Sequence, residues 1–233
     1  MKETGRMILA VVMIVALVIG MECVSDAATV TPMELVLQDF DPSDPSPFVI
    51  VADGDPMDSN SAVGAVTFNG PIGKWIVNVS TAVTYPALGT TASPQLDLNS
   101  VNVSSSGAAD LFIGVSALGY TRAPGGATFQ VGGTTDSILS AEAFSGDAST
   151  YFDQTNSLGA MTFSSAAFSG SVNGAVPASP NPYSLTIQVV ITPKETEGST
   201  SFDAKLAVPE PSTLLFVGFG LVGLVGFRKK FQE

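Results

Sequence analysis

The feature that most constrains the fold of this chain is a strict alternation of apolar and polar residues in short segments. In the segment 184–191, Leu185, Ile187, Val189 and Ile191 occupy every second position. Successive side chains of a β-strand point to opposite faces, so this pattern predicts a strand with one buried face. No window outside the two chain ends keeps the 3.6-residue period of a helix.

The same alternation recurs along the body of the chain and predicts about ten or eleven short strands. Further strands are expected at 33–40, 48–52, 62–69, 74–80, 96–103, 110–117, 128–131, 137–144, 160–168 and 199–206. Turn signals between them are Asn69-Gly70-Pro71, Pro124-Gly125-Gly126, Gly132-Gly133, Asn173-Gly174 and Pro180-Asn181-Pro182. Many short strands without a helix predict an all-β fold, an antiparallel β-sandwich that is jelly-roll-like.

One of these segments changes phase along its length. Leu96 and Leu98 share a face, but Val101 and Val103 continue on the opposite parity. An extra residue in one strand of a pair produces this slip, so a β-bulge is predicted near Asn99-Ser100.

The N-terminus has the organisation of a secretory signal peptide. Lys2 and Arg6 precede an apolar run at residues 7–21, and small residues at Ser25 and Ala27 fit a cleavage site after Ala27. A signal helix is therefore expected within residues 1–27, and Cys23 would leave with it. The alternative is a retained N-terminal anchor.

The C-terminal tail combines three features in order. Val208-Pro209-Glu210-Pro211-Ser212 is followed by an uncharged apolar run at 213–227 and by Arg228-Lys229-Lys230. The prolines predict an exposed, extended segment, and Ser212 is a suitable N-cap for a helix. A helix over 213–227 would be about 22 Å long, a marginal transmembrane span. The basic cluster predicts its cytoplasmic end.

This tail closely resembles the PEP-CTERM sorting signal of Gram-negative bacteria, over about the last 26 residues. The resemblance implies export by the Sec translocase, a transient inner-membrane anchor and processing by an exosortase. The product would lie at the cell surface or outside the cell. The alternative is an ordinary single-span anchor. The expected organisation is a signal peptide at 1–27, a β-sandwich domain at 28–207 and a sorting signal at 208–233. The linker is placed at about 205–211.

Composition excludes several classes of function for the body. The chain has no histidine and a single cysteine, Cys23, so disulfides, Cys/His zinc sites, cysteine nucleophiles and Ser-His-Asp triads are excluded from residues 28–207. The net charge is −12, and an acidic surface repels nucleic acid. No nucleic-acid partner is therefore expected.

Two short segments share the pattern Asp-x-Asp-Pro-x-Asp on either side of the predicted strand 48–52. The first holds Asp39, Asp41 and Asp44, and the second holds Asp53, Asp55 and Asp58. Calcium takes six to eight oxygen ligands, so closely spaced aspartates in a loop can bind it. Calcium is thus the one candidate cofactor. The alternative is that Asp, Pro, Ser and Gly simply form turns here.

Two further sets of residues could cleave or bind polysaccharide. A carboxylate-dependent glycosidase would need two facing acids from the set Glu34, Asp97, Asp110, Glu142 and Asp153. Aromatic side chains that could stack on sugar rings are Trp75, Tyr85, Tyr120, Tyr151 and Tyr183. Trp75 lies in an apolar strand register and is expected in the core, whereas Tyr120 and Tyr183 lie beside turns and are expected to be exposed.

Together these features predict an exported bacterial protein without catalytic activity. Proteins with this tail resemble components of exopolysaccharide or biofilm matrix, so the leading expectation is a structural or adhesive role with exopolysaccharide as partner. Two alternatives stay open: a calcium-dependent carbohydrate-binding module, and a carboxylate-dependent enzyme that acts on polysaccharide.

Overall fold

The computed structural model describes residues 32–41, 47–121, 125–178 and 182–209. Within these ranges the chain forms twelve strands. In chain order they are β1 (Met33–Asp39), β2 (Phe48–Ala52), β3 (Ala65–Ile72), β4 (Trp75–Val83), β5 (Gln95–Ser105), β6 (Leu111–Tyr120), β7 (Gly125–Thr135), β8 (Ile138–Asp147), β9 (Asn156–Phe163), β10 (Ala167–Val176), β11 (Tyr183–Thr192) and β12 (Gly198–Ala207).

The strands form two six-stranded antiparallel sheets that pack face to face. Sheet A has the order β2-β1-β6-β11-β8-β9, and sheet B has the order β10-β7-β12-β5-β4-β3. Alternate residues of each strand meet between the sheets, as in Leu35 and Leu37 of β1 and Leu96 and Leu98 of β5, which are fully buried. The all-β antiparallel sandwich predicted from the alternation is confirmed.

The predicted bulge in β5 is present. Ser100 has a φ of 55°, and the register between β12 and β5 shifts between Phe202 and Ala204. The shift lets Leu98 and Val101 both point into the core although they differ in parity.

Several sequence predictions about turns and strands are wrong. Segment 160–168 is two strands, β9 in sheet A and β10 in sheet B, so the total is twelve rather than ten or eleven. Asn69-Gly70-Pro71 lies inside β3, an edge strand that tolerates proline. Gly132-Gly133 and Asn173-Gly174 lie inside β7 and β10. A Cβ at Gly133 would collide with the backbone of Ser201, so this glycine permits a close strand approach rather than a turn.

The predicted linker at 205–211 also begins too early. Lys205, Leu206 and Ala207 are paired residues of β12, and Val208 is still in the core, with 1% of its surface exposed. Across the described ranges, no helix is long and apolar enough to span a membrane.

Candidate functional site

The sandwich passes into the sorting motif without a spacer. The Val208 amide donates to the Pro94 carbonyl at 3.0 Å, and Ser93 Oγ donates to the Val208 carbonyl at 3.3 Å. The next residue, Pro209, is exposed. Other parts of the predicted sorting signal lie outside the described residues: Glu210, Pro211, Ser212, the predicted helix 213–227, Arg228, Lys229 and Lys230. The predicted cleavage site at Ala27 also lies outside them. The sorting motif therefore starts at the last core residue.

The first aspartate segment begins at the end of β1. Asp39 is completely buried, and its Oδ2 accepts a hydrogen bond from the Lys74 amide at 2.6 Å. Asp41 is nearly buried, and its Oδ2 lies 3.9 Å from Lys74 Nζ. Asp44 lies outside the described residues. Both described carboxylates thus meet the turn between β3 and β4.

In the second segment the aspartates build turns. Asp53 Oδ2 accepts from the Gly64 amide at 2.7 Å, and Asp55 Oδ1 accepts from the Met57 amide at 3.0 Å. Asp58 accepts from three backbone amides, those of Gly54, Asn60 and Thr67, at 3.2, 2.8 and 2.9 Å. Among the described residues, no group of three or more Asp, Glu, His or Cys side chains converges in metal-binding geometry. Calcium binding by the two segments stays a prediction.

The candidate catalytic carboxylates lie on different parts of the sandwich. Glu34 on β1 and Glu142 on β8 both point outward from sheet A, but β6 and β11 separate their strands. Three strand spacings amount to about 14 Å, beyond the range of paired glycosidase acids. Asp97 lies on the outer face of sheet B, Asp110 precedes β6, and Asp153 lies in the loop before β9.

Of the predictions about aromatic side chains, one is confirmed and one is wrong. Trp75 is in the core as predicted, and its Nε1 donates to the Ala109 carbonyl at 3.0 Å. The prediction that Tyr120 and Tyr183 are exposed is wrong, because both are buried with ring centroids 5.8 Å apart. Gly119 has a φ of 88°, and the register between β11 and β6 shifts here. This irregularity reverses the parity of β6 and turns Tyr120 inward, where its hydroxyl bonds Thr84.

The outer face of sheet A carries a strip of exposed and partly exposed apolar and amide side chains. Gln38 of β1 pairs with Phe48 of β2 on one side and with Phe112 of β6 on the other. The Cα atoms of Phe48 and Phe112 are thus about 10 Å apart, with Gln38 between them. In the next row, Val36 pairs with Ile50. Phe48 is 62% exposed and Ile50 is 45% exposed, which is unusual for large apolar side chains in one patch.

The loop between β8 and β9 (residues 148–155) lies over the middle of this face. The Phe152 amide donates to Ser116 Oγ at 3.0 Å, and Ser116 Oγ lies 3.0 Å from Thr186 Oγ1. A Cβ at Gly114 would lie 2.8 Å from the Phe112 ring and 2.9 Å from the Phe152 ring. Both rings therefore lean over Gly114.

Charged and polar groups border these rings. The Gln154 side chain donates to Gln188 Oε1 at 3.2 Å. Burial raises the pKa of Glu34. The pKa of Tyr151 is also raised, mainly by burial and to a smaller extent by the negative charge of Glu34. Tyr151 and Glu34 therefore interact electrostatically. We call the surface formed by Glu34, Gln38, Phe48, Ile50, Phe112, Tyr151, Phe152 and Gln188 the ring face.

The outer face of sheet B differs in chemistry. One row across four strands consists of Thr134, Ser201, Asn102 and Asn78, all of them exposed. They line a shallow groove of about 230 Å³ together with Val103, Ser104, Ser199 and Thr200. This face is flat and polar and offers no aromatic ring in that row.

The sequence did not single out the phenylalanines of the ring face. Phe48, Phe112 and Phe152 have the residue type of a core, and only the parity of β2 and β6 assigns the first two to the outer face. That parity was readable for Phe112, because Ile113 and Val115 continue the apolar face of the segment 110–117. Phe152 lies in a loop, and no pattern in the sequence indicated its position.

The two antiparallel sheets define this molecule as an all-β sandwich protein, and its last core residue leads directly into the tail. Residues 207–230 match the family model of the PEP-CTERM protein-sorting motif. The match confirms the resemblance of the tail and covers the tail only. The motif implies an exported protein that transits a membrane, and it is consistent with processing by an exosortase. No curated protein matches the sequence.

Solved structures similar to the sandwich share little sequence with it. One is TmCBM61 in complex with β-1,4-galactotriose, with a TM-score of 0.34, 9% identity and coverage of 60% of this chain and 92% of that chain. Another is a carbohydrate-binding module from the β-sandwich superfamily, with a TM-score of 0.32, 11% identity and coverage of 73% and 72%. A Stig cyclase from Fischerella sp. TAU has a TM-score of 0.32, 13% identity and coverage of 64% and 92%. At these values no ligand or activity is transferred to this chain.

Proposed function

We propose that this protein is a non-catalytic component of the bacterial extracellular matrix that holds exopolysaccharide on its ring face. The tail supports the location, because a PEP-CTERM motif implies export. The row formed by exposed Phe48 and partly exposed Gln38 and Phe112 supports the binding surface, and it is the observation on which the proposal depends.

The chemistry of this strip fits a polysaccharide chain. Sugar rings present apolar C–H faces and polar hydroxyl edges, so they need flat apolar surface beside hydrogen-bonding groups. Phe48 and Phe112 supply the apolar surface, and Gln38 lies between them. Gln188 on β11 pairs with Gly114, two residues from Phe112. An extended polymer could lie across β2, β1 and β6 and contact both rings.

A structural or adhesive role agrees with the remaining geometry better than catalysis does. Glu34 and Glu142 are about three strand spacings apart, and Asp97 lies on the other sheet. A non-catalytic role also needs no histidine or cysteine, and residues 28–207 contain neither.

Binding to purified exopolysaccharide from the native host tests the proposal. Phe48→Ala removes an exposed ring from edge strand β2, and we expect it to weaken binding about 10-fold, which corresponds to ~1.4 kcal/mol. Ile76→Ala is the matched control, because Ile76 is 53% exposed on the outer face of sheet B. Equal affinities for wild type and Phe48→Ala, or an equal loss in both variants, would remove the ring face from the account. Release of soluble sugar during the incubation would instead indicate an enzyme.

A further inference from the structure

A buried carboxylate oxygen at one end of the sandwich has no hydrogen-bond donor among the residues that the structure describes. Asp39 is the last residue of β1 and continues the inward face of Leu35 and Leu37, and none of its surface is exposed. Its Oδ2 accepts the Lys74 amide, but its Oδ1 has no partner. A buried acceptor of negative charge without a donor is costly, so this oxygen calls for a positively charged group.

A second carboxylate approaches the same turn. Asp41 lies two residues further along, and only 11% of its side chain is exposed. Lys74 Nζ lies 3.9 Å from its Oδ2, and the Lys74 side chain is 48% exposed. The buried Asp39 and the nearly buried Asp41 thus both contact Lys74, Asp39 through the backbone amide and Asp41 through the ammonium group.

We propose that Asp39 and Asp41 bind one divalent cation, calcium, at the turn between β3 and β4. Calcium accepts carboxylate and carbonyl oxygens in flexible geometry, and extracellular modules bind it at about 0.1–1 mM. Asp39 Oδ1 supplies an oxygen that no protein donor occupies. The bound ion would fasten the end of sheet A to the β3–β4 turn of sheet B, alongside the Asp39–Lys74 hydrogen bond.

The second aspartate segment is not part of this site. Each of its three carboxylates accepts at least one backbone amide, and, among the described residues, none of them has a buried oxygen without a hydrogen-bond partner, as Asp39 does. Asp55 is partly exposed, and its side chain accepts the amide of Met57, two residues ahead. Of the two similar aspartate segments, only the first is therefore proposed to bind calcium.

The only tryptophan of the chain makes a local probe of this site. Trp75 follows Lys74 directly, and its side chain is fixed by Ala109. Terbium is a calcium substitute whose emission is sensitised by a nearby indole. We expect the full-length chain to sensitise terbium emission on tryptophan excitation and calcium to abolish that emission. We also expect calcium at tenfold above its Kd to raise Tm by about 3–6 °C, reversed by a chelator.

Three variants separate this site from other acidic loops. Asp39→Asn and Asp41→Asn should each remove the terbium signal and the calcium-dependent rise in Tm, whereas Asp55→Asn should keep both. Lys74→Met removes the competing cation and should lower the Kd for calcium severalfold. If Asp39→Asn does not fold, terbium emission and calcium-dependent Tm measured on Asp41→Asn and Lys74→Met still test the proposed site. An unchanged Tm in 10 mM calcium, or a terbium signal that persists in Asp41→Asn, would overturn the proposal.

Discussion

Asp39 and Lys74 join the two sheets at one end of the sandwich, through a 2.6 Å hydrogen bond from the Lys74 amide to Asp39 Oδ2. The two residues are 35 positions apart in the chain. Asp39 belongs to sheet A, and Lys74 lies in the turn that connects β3 and β4 of sheet B. The contact between them needs Gly73, because a Cβ at that position would overlap the Asp39 carboxylate.

Gly73→Ala should therefore destabilise the sandwich by more than the backbone cost alone. Gly73 has a φ of 53°, a conformation that costs an L-residue about 1–2 kcal/mol. The overlap with Asp39 should add about 1–3 kcal/mol, since the buried carboxylate must give up its hydrogen bond. Gly54→Ala is the control, because Gly54 has a φ of 79° and open space around it. Chemical denaturation measures both, and equal losses would mean that the Asp39 contact contributes nothing.

Ser116→Ala should loosen the loop that lies over the ring face. Ser116 Oγ accepts a partly buried hydrogen bond from the Phe152 amide. It forms a second, buried hydrogen bond with Thr186 Oγ1. We expect a loss of about 1–3 kcal/mol in unfolding free energy. Amide exchange in residues 148–155 should also become faster. Ser201→Ala, on the exposed face of sheet B, should change neither quantity. Unchanged exchange in Ser116→Ala would show that the loop is held by its rings alone.

Glu34→Gln should stabilise the protein at neutral pH. Burial raises the pKa of Glu34 in the folded state above its unfolded value. The stability that protonated Glu34 contributes is therefore fully present below the unfolded pKa, about 4.3, and is lost as the pH rises through the folded pKa. Melts should show a higher Tm for Glu34→Gln at pH 7 and equal values near pH 4. Glu195→Gln, in an exposed turn, is the control. A Tm of Glu34→Gln below that of the wild type at pH 7 would contradict the predicted stabilisation.

A chain that ends at Pro209 should be as stable as the full-length protein, but one that ends at Lys205 should not. Leu206 and Val208 are buried, and each contributes about 1.5–3 kcal/mol by burial. Thermal melts of the two truncations locate the end of the sandwich. Equal stability of both would place the end of the domain before β12 is complete, where the sequence put its linker.

Alternation predicted most of the fold because one face of each sheet is buried. Segment 48–52 is reproduced as β2, and the phase slip between Leu98 and Val101 located the bulge in β5. The split between β9 and β10 was missed, because Ser164, Ser165 and Ala166 carry no glycine or proline. The exposure of Tyr120 was mispredicted because a single residue, Gly119, reverses the strand parity.

The candidate sites depended on information that short segments do not carry. The two aspartate segments look alike in sequence, and only tertiary structure separates a buried Asp39 from a turn-building Asp58. The ring face brings together β1, β2, β6, β11 and a loop, so its members are up to 154 positions apart from Glu34 to Gln188. The sorting tail was readable because its three parts are contiguous.

The most direct test of this account is the intact mass of the protein from its native host, measured separately in the cell-bound and secreted fractions. We expect a species that begins after Ala27 and ends between Val208 and Thr213, because Val208 is bonded in the core and Pro209 is exposed. That species should be found at the cell surface or in the medium. A mass that retains residues 213–233 in both fractions would contradict sorting and leave the matrix role without its main support.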